Sequence, residues 1–297
     1  MIRITHILCP IDFSDFSRRA LDHASAVARW YEARLTVLHV FPNLPAMDLP
    51  PVVMADTDRE RILDGMRRFA AHVPGDVPLD LRLREASYIH REILDQALDV
   101  QADLLVIGGH GRSGFGRLLL GSVTERVIRM APIPTMVVPR RAPDTAPGTP
   151  VHFRSILCPV DFSECSLRAL QYAMDMAEEA DARLTVLHVV EIPRGLRESD
   201  FTPELDLDRL RATTEADSAR RLRDLIPEEA RAYCAVEIAV QEGAAYREIL
   251  NVADQRQADL IVMGVQGRGA IDVMIFGSNT ARVSRVATCP VVIVPQA

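Results

Sequence analysis

The sequence predicts an α/β protein built from two doubly wound domains, each a five-stranded parallel sheet with helices on both faces. Three observations lead to this prediction. Apolar runs of strand length alternate with segments of helical periodicity, and the whole alternation occurs twice along the chain. The apolar runs are also hydrophobic on both faces, as buried parallel strands are. At 297 residues, the chain has room for about two domains that each bury a core.

In the first half, the pattern predicts five strands and four helices, joined by right-handed crossovers. Ser14 stands where an N-cap belongs, directly before apolar residues at helical spacing. The strands are predicted near Thr5 to Pro10, Arg34 to Val40, Leu79 to Arg84, Leu104 to Gly108 and Thr135 to Val138, and the helices near Asp15 to Tyr31, Thr57 to His72, Tyr88 to Val100 and Ser122 to Met130.

The second half repeats the first. Ile7 to Ser14 recurs as Ile156 to Ser163, and Ala33 to Val40 recurs without change as Ala182 to Val189. The spacing between the copies then grows by seven residues, so the second copy carries a longer segment after its second strand. This segment predicts a longer second helix near Pro203 to Leu225. The first domain is assigned to residues 1–140, a proline-rich linker to 141–152 and the second domain to 153–297.

Composition excludes several classes of protein. A net charge of −7 without a basic stripe argues against a nucleic-acid partner. The first residues lack the apolar core of a signal peptide, and no apolar run reaches membrane-spanning length, so we expect no membrane partner and a cytoplasmic location. The five cysteines contain no C-x-x-C pair, and we expect them to be buried free thiols.

A glycine pattern, G-x2-G-x9-G-S, follows the fourth strand of each half. It comprises Gly108, Gly111 and Gly121-Ser122 in the first half, and Gly264, Gly267 and Gly277-Ser278 in the second. A strand, a glycine loop and the start of a helix are where a parallel α/β sheet places a phosphate. Glycines let backbone N–H groups approach phosphate oxygens, and the helix N-terminus supplies free amides. The pattern lacks the G-K-[ST] ending of a P-loop.

Two carboxylates complete the predicted crevices. Asp12 and Asp161 follow the first strands, whose ends converge with those of the second and fourth strands. An ionised carboxylate accepts hydrogen bonds from both hydroxyls of a ribose. His39 and His188, at the ends of the second strands, are expected to have structural roles. His110 lies inside the glycine loop, where it could touch a phosphate, but Gln266 holds the equivalent place, so the two sites share no need for an imidazole there.

These residues resemble the universal stress protein family, in a tandem form with two domains in one chain. The resemblance rests on both glycine patterns, on the P-x-D-F-S ending of the first strands and on the L-H-V ending of the second strands. It implies a nucleotide alpha hydrolase-like, flavodoxin-like fold and ATP as the ligand, alone or with Mg²⁺. In the first half it implies ligand contacts from Pro10, Ile11, Asp12, Val40, Ile107, Gly108, Gly111, Arg112, Gly121, Ser122, Val123 and Thr124, and in the second half from Val160, Asp161, Val189, Met263, Gly264, Gly267, Arg268, Gly277, Ser278, Asn279 and Thr280.

The resemblance also implies how the halves assemble. Family members commonly dimerise through their last strands, here Thr135 to Val138 against Val291 to Val294. A duplicated chain satisfies this pairing within itself as an intramolecular pseudo-dimer, and a homodimer of whole chains is a further expectation.

Three functions remain open from the sequence. The first is an ATP-binding stress-response regulator with little or no turnover, because no dedicated catalytic base is evident. The second is a slow ATPase or phosphotransferase, and the third is a scaffold with one or both crevices empty or holding another ligand. The two sites are expected to be unequal. Gly116 and Arg117 of the first loop correspond to Asp272 and Val273, so the second loop gains an acid and loses a cation.

Overall fold

The computed structural model describes residues 2–43, 54–111, 120–143, 153–191, 207–228, 230, 234–267 and 276–296. Within these residues the first half forms five strands and four helices. They are β1 (His6–Ile11), α1 (Asp15–Trp30), β2 (Arg34–Pro42), α2 (Asp56–Phe69), β3 (Leu79–Ala86), α3 (Ile89–Asp99), β4 (Leu104–Gly108), α4 (Ser122–Met130) and β5 (Thr135–Val138).

The second half repeats this order. Its elements are β6 (Ser155–Pro159), α5 (Glu164–Ala180), β7 (Arg183–Val190), α6 (Leu207–Asp224), β8 (Val236–Glu242), α7 (Ala245–Gln255), β9 (Leu260–Gly264), α8 (Ser278–Val286) and β10 (Val291–Val294).

All ten strands form one sheet, in the order β3-β2-β1-β4-β5-β10-β9-β6-β7-β8. Every pairing within a half is parallel, which confirms the predicted doubly wound domains. One helix layer, α1 and α2 with α5 and α6, packs on one face, where Ala20 and Ala169 are fully buried. The layer formed by α3, α4, α7 and α8 covers the other face, where Val127 and Val283 are fully buried.

Some element ends differ from the sequence-based prediction. β2 extends to Pro42 because it pairs with β3 along its full length, up to the partners Pro42 and Ala86. α2 ends at Phe69 instead of near His72, whose imidazole lies 2.6 Å from the carboxylate of Asp22 on α1. The predicted start of α6 near Pro203 lies outside the described residues, as do linker residues 144–152.

The two halves join through their last strands, as the sequence led us to expect. β5 and β10 pair antiparallel, with Val137 opposite Val291 and Met136 opposite Val292. All four side chains are fully buried. Because the pairing turns two sheet edges into one continuous sheet, neither last strand presents an open edge. The intramolecular pseudo-dimer is therefore a property of this chain.

Two further features of the chain concern the state of its cysteines and the character of its helices. The five cysteines are buried and free, as predicted. None of the described helices combines the length and the apolarity that crossing a membrane requires.

This junction predicts how the chain behaves when it is cut. If the chain is divided within the linker at Thr145, the two fragments should remain associated or self-dimerise, because each would otherwise expose a buried apolar strand edge. Co-purification and sedimentation analysis of the co-expressed fragments would measure this. Two stable fragments that remain monomeric and do not bind each other would contradict this prediction.

Candidate functional site

A cavity lies in each half where the strand order reverses between the first and the fourth strands of that half. The first cavity, about 310 Å³, opens at the carboxyl ends of β1, β2 and β4 and at the N-terminus of α4. The second, about 720 Å³, lies at the corresponding ends of β6, β7 and β9 and at the N-terminus of α8. This switch point is where open α/β sheets bind their ligands.

The corner after β1 holds the carboxylate of Asp12 in place. Its Oδ1 accepts hydrogen bonds from the backbone N–H of Ser14, at 3.0 Å, and from the Ser14 hydroxyl. The Ser14 side chain in turn accepts a hydrogen bond from Ser17 N and caps α1. Between them, Phe13 has a φ of 63°, a left-handed conformation that a bulky residue seldom adopts. The second half repeats this corner at Asp161, Phe162 and Ser163, with the same φ at Phe162.

Aromatic packing supports this strained corner. The Phe13 ring lies 4.7 Å from the imidazole of His39, measured between ring centroids, and the Phe162 ring lies 4.6 Å from His188. The Nδ1 atom of His39 is 2.8 Å from the carbonyl oxygen of Ile11. A carbonyl only accepts, so Nδ1 carries the proton and donates. His188 Nδ1 lies 2.7 Å from the carbonyl oxygen of Val160 in the same way, so both histidines, which also line the cavities, hold the strand end beside the carboxylate.

The first glycine of each pattern is needed for packing between backbones. A Cβ atom on Gly108 would lie 2.9 Å from the carbonyl oxygen of Phe16 in α1, and one on Gly264 would lie 2.7 Å from the backbone of Cys165. This packing is a second reason for glycine beside the predicted approach of phosphate, since Gly108 and Gly264 also line the cavities. At this position, glycine allows the strand end to approach the first turn of the helix.

The second glycine of each pattern lies against the carboxylate. A Cβ atom on Gly111 would lie 2.9 Å from Asp12 Oδ2, and one on Gly267 would lie 2.5 Å from Asp161 Oδ2. Any side chain here would displace the carboxylate. Glycine therefore brings the loop backbone and the acid together on one side of the cavity.

The N-terminus of α4 presents unbonded backbone donors to the first cavity. Its first helical hydrogen bond runs from Glu125 N to Gly121 O, at 2.8 Å, so the N–H groups of residues 122–124 have no partner within the helix. Gly121 has no side chain to cap them. A further bond from Gly121 N to Gly109 O, at 2.9 Å, fixes the helix start to the end of β4. The α8 terminus is built in the same way.

The hydroxyls of Thr124 and Thr280 do not reach a ligand. Thr124 Oγ1 is buried and donates to the Gly108 carbonyl at 2.9 Å, and Thr280 Oγ1 donates to the Gly264 carbonyl at 3.0 Å. Each hydroxyl already donates its hydrogen atom to a carbonyl, so these two residues can donate to a phosphate oxygen only from their backbone N–H groups. This refines the expectation that each contributes to the site.

The sequence-predicted site residues converge on the cavities. Arg112 and Arg268 lie outside the described residues, as do Gly116, Arg117, Asp272 and Val273. The first cavity is lined by Pro10, Ile11, Asp12, Val40, Ile107, Gly108, Gly111, Gly121, Ser122, Val123 and Thr124, and the second by Val160, Asp161, Val189, Met263, Gly264, Gly267, Gly277, Ser278, Asn279 and Thr280.

Several lining residues were missed from the sequence. Ile89 and Ile93 of α3 line the first cavity, and they are the apolar residues at helical spacing that follow Tyr88. In the second cavity, Thr214, Ser218 and Arg221 come from α6. The sequence did indicate that the second copy has a longer segment here. Spacing alone, however, does not show which face of the α6 helix is turned toward the cavity.

The cavities differ chemically at corresponding positions of the repeat. Pro42 of the first is replaced by Glu191 in the second, Ile89 by Ala245, and Val123 by Asn279. The carboxylate of Glu191 accepts a hydrogen bond from Ala245 N at 2.8 Å. The second cavity is consequently larger and more polar than the first.

His110 is the titratable group of the first glycine loop. Burial, with a smaller contribution from the Arg140 guanidinium, lowers the pKa of the His110 imidazole. Its ring lies 5.3 Å from that of Phe16 between centroids. Across the described residues, there is no group of three or more histidine, cysteine or acidic side chains arranged to hold a metal ion.

The packing of Gly108 predicts a stability defect. Gly108→Ala should lower the free energy of unfolding by roughly 1–3 kcal/mol, because the new methyl group meets the backbone of α1. Gly75→Ala is the matched control, since a Cβ atom there meets nothing within 4 Å. Urea denaturation of both variants would measure the difference. Equal stability of the two variants would contradict the close approach.

The comparisons with known proteins agree with this geometry. A profile of the Universal stress protein family matches residues 3–139 and 152–295. The universal stress protein YxiE of Bacillus subtilis (strain 168) is 32% identical over 146 residues, which cover 48% of this chain and 99% of that protein. A universal stress protein of Mycolicibacterium smegmatis is 25% identical over 308 residues, covering 97% of this chain and 96% of that protein.

A solved structure shows the same fold over the whole length. The crystal structure of a universal stress protein from Archaeoglobus fulgidus DSM 4304 has a TM-score of 0.66 with this chain at 21% identity, and the match covers 100% of both chains. Since the family profile matches each half separately and together these matches span most of the sequence, the chain belongs to the universal stress protein family, as a tandem of two such domains.

Proposed function

We propose that both crevices bind adenine nucleotides, ATP foremost, and that the protein acts as an ATP-binding regulator of the stress response with little or no turnover. One observation carries the proposal. In each half, three amides that have no partner within their helix and a fixed carboxylate line the same cavity. Amides of this kind bind phosphate, and the carboxylate suits ribose hydroxyls.

The apolar part of the first crevice fits an adenine base. Ile11, Val40 and Ile107 are buried residues at the ends of three strands, and Ile89 and Ile93 extend the same surface. The cavity volume lies at the lower end of the range of about 300–1,000 Å³ for small-molecule sites. A flat base would be held there by apolar contact and by backbone groups at the strand ends.

The polar part fits a ribose and a phosphate chain. Asp12 would accept hydrogen bonds from the ribose hydroxyls, and the amides of residues 122–124 would donate to phosphate oxygens. The positive end of the α4 dipole adds to this attraction. Ser122, at the first position of the helix, lines the cavity as a further hydroxyl donor. Magnesium, if it accompanies ATP, would be held mainly by the phosphates and by water, as is usual for this ion.

The expectation of low turnover rests on the acids and bases of the first crevice. Hydrolysis requires a group that positions or activates water. Among the described lining residues, the carboxylate of Asp12 is held by Ser14, and the imidazole of His39 contacts the Ile11 carbonyl. Both side chains take part in holding the corner. His110 also lines this cavity, but Gln266 takes its place in the second, so its imidazole is not a group that both crevices share. The inequality expected from Asp272 and Val273 stays a prediction about the triphosphate end of the second crevice.

The first test identifies what the protein carries. Mass spectrometry of the purified full-length chain after gentle denaturation should recover ATP, because phosphate-binding amides and an apolar base site are present together. ADP in place of ATP would favour the slow ATPase or phosphotransferase. Recovery of no nucleotide, together with no binding of added ATP, would refute the proposal and favour a scaffold.

The second test removes the carboxylates. Asp12→Ala should weaken ATP binding by roughly 1.5–3 kcal/mol, the scale of hydrogen bonds to a charged group. Asp15→Ala, which removes an acid from the first turn of α1, is the matched control and should leave binding unchanged. Calorimetric titration of the full chain would measure both. If the Asp12→Ala/Asp161→Ala double variant bound ATP as the parent does, the assignment of the crevices would be wrong.

A further inference from the structure

The second crevice contains a polar wall that the first lacks. Thr214, Ser218 and Arg221 of α6 line the second cavity, whereas no described side chain of α2 lines the first. The guanidinium carbon of Arg221 lies 3.8 Å from the centre of the Phe162 ring. Phe162 directly follows Asp161, so this cation lies next to the carboxylate corner of the second crevice.

Corresponding positions of the two helices explain the difference. Aligning the dipeptides Val73-Pro74 and Ile226-Pro227, which follow α2 and α6, places Ser218 on Gly65, Arg221 on Arg68 and Leu222 on Phe69. In the first half, the ring of Phe69 meets Phe13 edge-on, with 5.5 Å between centroids. An added Cβ on Gly65 would lie 3.7 Å from the same Phe13 ring. In the first crevice, the packed rings of Phe13 and Phe69 thus occupy the side on which the second crevice has the polar groups of α6.

Arg221 has the chemistry of an anion-binding residue. Its guanidinium presents several N–H donors in a planar fork that matches phosphate oxygens, while its face stacks on an aromatic ring. Within the described part of the chain, Arg221 forms no ion pair, and its guanidinium stacks on the Phe162 ring. Ser218, a residue only 7% exposed, also lines the cavity and lies about one helical turn from Arg221.

The position of this group relative to a bound nucleotide follows from the proposed function. With the base against Val160 and Met263 and the 5′-phosphates at the α8 terminus, the ribose hydroxyls face Asp161. Arg221 stacks on Phe162, which directly follows Asp161, so we place its guanidinium on the side of the ribose hydroxyls.

We propose that Arg221 and Ser218 form an anion subsite that takes a phosphate attached to the 2′ or 3′ hydroxyl of the ribose, so that the second crevice selects adenine nucleotides that carry such a phosphate besides the 5′-phosphate. This inference rests on the proposed nucleotide function and adds a substrate class to one of its two sites. The Asp161 carboxylate would accept a hydrogen bond from the ribose hydroxyl that stays unesterified, and the Arg221 guanidinium would offset the repulsion between the carboxylate and the phosphate. Ala245 in place of Ile89 also gives this crevice room for a bulkier ligand.

The test compares ligands that carry the same number of phosphates. ADP, adenosine 3′,5′-bisphosphate and adenosine 2′,5′-bisphosphate would be titrated calorimetrically into the full chain carrying Asp12→Ala, which weakens the first crevice. At least one bisphosphate should bind the second crevice more tightly than ADP. Arg221→Met should lower the affinity for that bisphosphate by about tenfold or more, as expected for loss of a charge-assisted hydrogen bond. The affinity for ADP should change by less than about threefold.

Controls separate the possible failures. Arg68→Met, at the corresponding exposed position of α2, should leave all three affinities unchanged, and Ser218→Gly should weaken the bisphosphate without the loss of a charge. Binding of ADP with no preference for either bisphosphate, or a preference that survives Arg221→Met, would overturn the subsite alone. Absence of binding by ADP, ATP and both bisphosphates would overturn the proposed function together with the subsite.

Discussion

The architecture of both crevices depends on the close approach between the fourth strand of each half and the first helix of that half. Gly108 and Gly264 allow this approach because a Cβ atom at either position would meet helix backbone. The same strand ends receive the hydroxyl hydrogen bonds of Thr124 and Thr280, which fix the starts of α4 and α8. The unbonded amides are therefore positioned by packing on the opposite face of the sheet. The backbone contact between strand and helix on one face of the sheet thus sets the position of the N–H donors on the other face.

Much of the fold could be predicted because duplication and periodicity are properties of the sequence itself. Elements with strong apolar runs, such as Leu104–Gly108 and Thr135–Val138, have the predicted bounds. Ends determined by tertiary partners were harder to place. β2 reaches Pro42 only because β3 continues beside it, and α2 stops where Ala70 caps it and His72 packs near Asp22.

The candidate site, like the fold, was predictable only in part. Residues at strand ends and in the glycine pattern were predictable because topology brings them to one place. Helix side chains that face the cavity were missed, Ile93 and Arg221 among them, because spacing alone does not define the rotation of a helix about its axis. The physical role of Gly108 was also beyond the sequence, since it depends on how near α1 lies to the sheet.

The antiparallel junction has a consequence for the relation between the two ligand sites. Because β5 runs parallel to its own half and opposite to β10, the strands of the two halves point in opposite directions, and the crevices open at opposite edges of one sheet. Their helices nevertheless meet across the junction, where Arg285 near the end of α8 lies 4.0 Å from Glu125 in the first turn of α4. The last turn of α8 thus lies beside the first turn of α4, and this ion pair joins the two helices whose N-termini line the two candidate crevices.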